Sequence, residues 1–275
     1  MDISLMIEGQ MGLTWPRWQR VVVEAEDLGF AGVFRSDHFI NPNPPDSESL
    51  EMIVSLTYLA SHTKRVHFGP LVAPLSFRDP TLLARQAAAL DDLSNGRMIL
   101  GLGAGWQERE HEVFGFELGD VPTRLRRLTE GLEVITSLLK SDEPVSYEGQ
   151  FYRLRGATLL PRPRRPGGPR ILVGGNGIQR TLPLVVRYAD IWNGVFMRPD
   201  QFREHMTILD TLLAKAGRQP GDVRRTMMYG QFQGHDALLD LLPEYKAVGM
   251  EEIMVQWLDL DNSDALRSFA RRLMP

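Results

Sequence analysis

The sequence predicts an α/β fold, a (β/α)8 TIM barrel. Short, near-continuous apolar runs alternate with longer amphipathic ones, and the alternation repeats eight times. Strands apolar on both faces are what a parallel sheet covered by helices requires. Neither half of the 275 residues offers a second core, so one domain over 1–275 accounts for the length better than two.

The first strand is Ile3 to Ile7. Its helix opens at Thr14 and Pro16, carries Val21, Val22, Ala25 and Leu28 on one face, and closes at Gly29. Gly32-Val33-Phe34 forms the second strand, and Ser47 to His62 the second helix, with Ile53, Leu56 and Ala60 at helical spacing. Val66 to Val72 is the third strand. Asp79 then caps a helix with Pro80 at its first position, and Asn95-Gly96 stops it. Met98 to Gly103 is the fourth strand, followed by helix from about Trp106 and a longer helix bearing Leu128, Leu132, Ile135 and Leu139.

Residues 141–168 break the rhythm. Val145 to Tyr147 and Phe151 to Leu154 flank Glu148-Gly149 as a hairpin, and a Pro/Arg-rich loop follows, so this stretch reads as a short insertion after the fourth unit. The strands at Arg170 to Val173, Ala189 to Asn193, Arg225 to Tyr229 and Glu252 to Trp257 complete the count. Their helices run near Arg180 to Arg187, Gln201 to Ala216, Asp236 to Val248 and Ser263 to Leu273.

Composition narrows the function. The chain has no cysteine, which excludes thiolate catalysis, disulfide frameworks and iron–sulfur clusters, so any redox chemistry must reside on a bound cofactor. A net charge of −4 without a basic stripe argues against nucleic acid and against anionic membranes. No stretch approaches the ~20 apolar residues of a membrane span. Asp2 and Glu8 stand where a signal peptide needs a basic start and an apolar run, so a cytoplasmic protein is expected.

In a barrel of this kind the site lies at the C-terminal strand ends. The second strand ends in Arg35-Ser36-Asp37-His38, a pair suited to general acid–base work or, equally, to capping a loop. The fourth ends in Gly101-Leu102-Gly103-Ala104-Gly105-Trp106. Trp106 breaks the dinucleotide pattern, and the glycines suit either close approach of a flat ring or a tight packing turn. The fifth ends in Gly174-Gly175-Asn176-Gly177 and runs into a helix, a phosphate-type anion site in preference to a simple turn. Glu108, His111 and Glu112 do not make H-E-x-x-H and read as a solvated helix face, so no metal is expected. None of the four lysines falls at a C-terminal strand end, which disfavours a Schiff-base aldolase.

Six blocks in order carry a resemblance: Phe34 to His38, Gly69 to Val72, Leu90 to Arg97, Gly101 to Trp106, Gly174 to Gly177 and Arg187 to Asn193. They resemble the luciferase-like monooxygenase superfamily, most of all its branch of coenzyme F420-dependent oxidoreductases. The resemblance implies F420, or alternatively FMN, with its ring at the barrel mouth. It also implies a cis peptide between Leu71 and Val72 backing that ring, Asp37 and His38 facing the reactive edge, and Gly174, Gly175, Asn176 and Gly177 holding the phosphate. Gly103 and Gly105 then border the cofactor. In the sugar-phosphate dehydrogenases of the family a Glu follows the Gly-x-Gly of the fourth strand. Trp106 stands there in this chain, pointing away from a sugar phosphate and toward either stacking on an apolar or aromatic substrate or a place in the core.

The leading expectation is an F420-dependent oxidoreductase that passes a hydride to or from a small organic substrate. Its rivals are an FMN-dependent monooxygenase with a partner reductase and a non-catalytic flavin-binding or deazaflavin-binding protein. Relatives commonly form homodimers, and the face of Leu82 to Leu93 suits that use.

Overall fold

The computed structural model describes residues 1–274. The chain runs β1 (Asp2–Ile7), α1 (Trp15–Asp27), β2 (Gly32–Arg35), α2 (Met52–His62), β3 (His67–Pro70), β4 (Ala73–Pro74), α3 (Pro80–Leu93), β5 (Ile99–Gly103), α4 (Glu108–Phe114) and α5 (Val121–Lys140). A hairpin of β6 (Val145–Glu148) and β7 (Arg153–Ala157) follows. Then come β8 (Arg170–Gly174), α6 (Thr181–Tyr188), β9 (Ile191–Val195), α7 (Pro199–Lys215), β10 (Arg224–Tyr229), α8 (His235–Ala247), β11 (Glu252–Gln256) and α9 (Ser263–Leu273).

Nine parallel strands lie in the order β3-β2-β1-β11-β10-β9-β8-β5-β4. β3 and β4 are two halves of one barrel strand, and a parallel bridge between Phe68 and Met98 brings β3 to the β5 edge, so the sheet closes into the expected barrel. Successive side chains on a strand face opposite ways, and here both ways are dry. Ile3, Leu5 and Ile7 of β1 join the outer core under the helices, whereas Met6 joins an inner core with Phe34, Leu71, Ile99, Leu172, Ile191, Met228 and Met254. Two cores fed by the same strands are why the strand sequences read as continuous apolar runs.

The third strand breaks at Leu71 and Val72, whose peptide is cis, as the resemblance implies. The start of α2 differs from expectation. The helix expected from Ser47 begins at Met52, because the preceding residues are held elsewhere. Ser49 bridges to Leu13 and donates its hydroxyl to the His38 carbonyl, and the Glu51 carboxylate caps the helix at Val54 N–H.

Candidate active site

At the C-terminal mouth of the barrel two adjoining cavities share Ala104, Gly105 and Trp106. The deep one measures about 490 Å³ and reaches down to Met6 and Met228 of the inner core. The outer one is a groove between Trp106 and the start of α6. Asp37, His38, Leu71, Val72, Gly103, Gly105, Trp106, Gly174 and Gly175 border the deep cavity, and Asn176 and Gly177 border the groove. The candidate residues of strands two to five thus meet at one mouth.

His38 leaves β2 and is held by a residue from α4. Its Nδ1 lies 2.9 Å from Glu110 Oε1, while Glu110 Oε2 accepts the Phe39 N–H at 3.1 Å. A carboxylate only accepts, so Nδ1 carries the proton and Nε2 is the basic nitrogen of the neutral ring. Burial works to lower the His38 pKa, but the hydrogen bond and charge of Glu110 outweigh it, and the imidazole sits above its ordinary value. Trp106 packs edge-on against the His38 ring at 5.3 Å, yet is 58% exposed.

This corrects the solvated reading of the first α4 turns. Glu108 and Glu112 face solvent, but Glu110 is 1% exposed and His111 2% exposed. Glu110 turns inward because two donors on β2's exit wait for it. His111 turns inward because its ring is strung between the Gln107 carbonyl and Ser76 Oγ.

Asp37 is buried beside Arg78, which donates from Nε at 2.8 Å and from Nη2 at 2.6 Å in a bidentate pair. Arg78 Nη2 also reaches Glu51 at 2.8 Å. Burial pushes the Asp37 carboxyl above the usual range and the Arg78 pair works against it. Burial likewise lowers Arg35, behind this cluster, to about 10, with Asp37 and Glu51 opposing. Asp37 is therefore anchored from behind rather than free to act as an acid.

The bare backbone of β5 has a different cause from the one the motif suggests. A Cβ on Gly103 would collide with Val72 Cγ2, and one on Gly174 would lie 3.1 Å from Val72 Cγ1. These glycines admit the Leu71–Val72 bulge, and the bulge in turn presents an apolar wall to the cavity.

The groove gathers N–H donors and guanidinium groups. Among the described residues, the N–H groups of residues 176 to 179 have no intramolecular acceptor outside regular elements, and they precede α6. Gly175 at φ +131° turns the chain there, and the Asn176 side chain locks the loop to both backbone groups of Val195. Arg124 and Arg180 line the same groove, and Arg124 Nε is buried with no partner. An unsatisfied guanidinium N–H beside free amides fits the phosphate of a ring cofactor whose ring enters the deep cavity.

Sequence reasoning missed Glu8, Arg78, Glu110 and Arg124. Each is an ordinary charged residue in its own segment, and only the fold shows its partner.

The chain is a closed parallel barrel with His38 held by Glu110 at the end of strand two, an irregular third strand and a glycine-rich loop after strand five. Residues 5–235 match the family model described as luciferase-like monooxygenase, and the chain belongs to that family. An F420-dependent glucose-6-phosphate dehydrogenase of Amycolatopsis mediterranei is 34% identical over 168 residues, covering 61% of this chain and 48% of that protein. The chain spans about half the length of such curated relatives. Among solved structures, an F420-dependent secondary alcohol dehydrogenase in complex with an F420-acetone adduct superposes with a TM-score of 0.84 at 18% identity, covering all of both chains. The coenzyme F420-dependent tetrahydromethanopterin reductase of Methanopyrus kandleri gives a TM-score of 0.81 at 17% identity, covering 99% of this chain and 98% of that one. These superpositions establish the shared fold.

Proposed function

We propose that the protein is an F420-dependent oxidoreductase that interconverts a small alcohol and its carbonyl compound. The observation that carries this reading is the His38–Glu110 pair opening onto a deep apolar cavity whose outer end is an anion groove. The F420-dependent relatives support the choice of cofactor.

The bound deazaflavin supplies the hydride acceptor or donor. The Leu71–Val72 bulge would back the ring, and Arg124, Arg180 and the amides of residues 176 to 179 would hold the phosphate. His38 Nε2 takes the hydroxyl proton as the hydride leaves the carbinol carbon, and returns it in the reverse direction. Glu110 orients the imidazole and stabilises its charged form, the role of the third member in a nucleophile–base–acid relay. Asp37, fixed by Arg78, adds a nearby negative charge that favours the same form.

Exposed Val54, Leu82 and Leu93 on the neighbouring helices α2 and α3 support a homodimer, and a cytoplasmic enzyme served by a separate F420 reductase completes the reading. Titration of the purified protein with F420 and with FMN, followed by cofactor fluorescence, tests it. Saturable F420 binding and no FMN binding is the expected result. Micromolar FMN binding without F420 binding would overturn the cofactor in favour of a flavin monooxygenase.

A further inference from the structure

Glu8 also lines the deep cavity, and beyond favouring the charged form of His38 it has no part in the reaction above. It follows β1, which stands across the barrel from the Gly174–Gly175 end of β8. Its Oε1 accepts from Gln256 Nε2 at 2.8 Å and its Oε2 from Gln10 Nε2 at 3.1 Å. Neutral amides on both oxygens fix the group at the cavity wall as an acceptor. Gln10 is itself held by the Ser36 hydroxyl, and Gln256 Oε1 accepts the Gln231 N–H, so the support is rigid on both sides.

The other carboxylates around the cavity are paired with an arginine or with His38. Arg35 and Arg78 stand against Asp37 and Glu51, and a protonated His38 stands against Glu110. Glu8 is left over. No lysine or arginine lines the deep cavity, whose remaining walls include Met6, Trp106, Phe196 and Met228. The two groove arginines line the other cavity.

We propose that Glu8 sets the charge specificity of the substrate pocket, so that the substrate is an apolar, uncharged or cationic alcohol or ketone and phosphorylated or carboxylated compounds are turned away. This rests on the deep cavity holding substrate beside the cofactor ring. In a partly desolvated site a fixed carboxylate repels an anion several ångströms away strongly enough to decide between otherwise equal ligands.

Three para-substituted 1-phenylethanols, bearing methyl, carboxylate or trimethylammonium, form the test. Each is titrated into wild type and Glu8→Gln, with and without F420, by tryptophan fluorescence, and turnover is then measured. Wild type should bind the carboxylate probe on the order of tenfold more weakly than the methyl probe, with the ammonium probe at least as tight as methyl. Glu8→Gln should remove most of that gap and leave F420 affinity unchanged, and Glu8→Lys should reverse the ranking. Equal binding of the carboxylate and methyl probes by wild type, an unchanged gap in Glu8→Gln, or no binding of any probe would each overturn the proposal. Absence of F420 binding would sink the cofactor reading alone, because the cofactor-free titration still reads the charge preference.

Discussion

The two cavities at the barrel mouth share three residues and differ in almost everything else. Among the described residues, the deep one is lined by apolar, neutral polar and imidazole side chains and by carboxylates and has no arginine; the outer one carries two arginines, one with an unpartnered buried N–H, and a loop of free amides. Each follows from its strand ends. β1 and β2 exit into acidic segments that pair with one another and with α4, while β8 exits through glycines directly toward a helix start. A ligand with an apolar ring and an anionic tail is favoured in one orientation in such a field, since reversal puts the tail against Glu8, whose partners are neutral amides.

The comparison assigns chemistry to the deep cavity and affinity to the groove, so variants on the two sides should fail differently. His38→Ala should cut turnover by ~10²–10⁴-fold while F420 binding, measured by fluorescence, stays within error. Loss of F420 binding in that variant would mean that the ring depends on His38 and would blur the division.

Glu110→Gln should come next. The Gln oxygen keeps the Phe39 N–H and its amide then faces His38 Nδ1, forcing the proton onto Nε2, so turnover should fall by about 10–100-fold. The pH profile separates this from simple misfolding. Glu110 raises the His38 pKa against the lowering effect of burial, so alcohol oxidation, which needs the neutral ring, should have its acidic limb moved to lower pH in the variant. The stability contribution of the pair has the matching sign. With the folded pKa raised, it is complete below the unfolded value of about 6.5 and is lost as pH rises through the folded one. Thermal melts of wild type and variant should therefore converge at high pH.

On the groove side, Arg124→Ala should weaken F420 about tenfold or more, as expected for loss of a charge-assisted contact, with kcat at saturating cofactor unchanged. A drop in kcat with unchanged affinity would reassign Arg124 to the substrate side.

Much of this was legible in the sequence, and the limit has a physical form. The places of Asp37-His38 and Gly174 to Gly177 at the barrel mouth were readable because their signals are local, a polar pair at one strand end and a run of glycines before one helix. Glu110 and Arg78 were not, because their meaning lies in partners 72 and 41 positions away. The amphipathic pattern of α4 even misdirected the reading: Glu110 and His111 look solvated beside Glu108 and Glu112, and only the two waiting donors and the Gln107–Ser76 pair bring them inside. The late start of α2 has a similar origin, since Ser49 and Glu51 serve the β2 exit and the helix cap rather than the helix interior.

Gly103 offers the smallest effect and the finest discrimination, between a glycine that makes room for a ring and one that makes room for the protein. The nearest atom to an added Cβ is Val72 Cγ2; once that methyl is gone, Val72 Cβ at 3.5 Å is an ordinary contact. Gly103→Ala should therefore destabilise the cofactor-free protein by about 1–3 kcal/mol, the usual cost of overpacking a tight contact, read from denaturant midpoints. In a Val72→Ala background the same change should cost much less, and the difference between the two costs is the coupling of the pair. If Gly103→Ala left the cofactor-free protein as stable as wild type and weakened only F420 binding, the β5 glycines would belong to the ring directly. The bulge would then be a neighbour of the site instead of the wall for which β5 is kept bare.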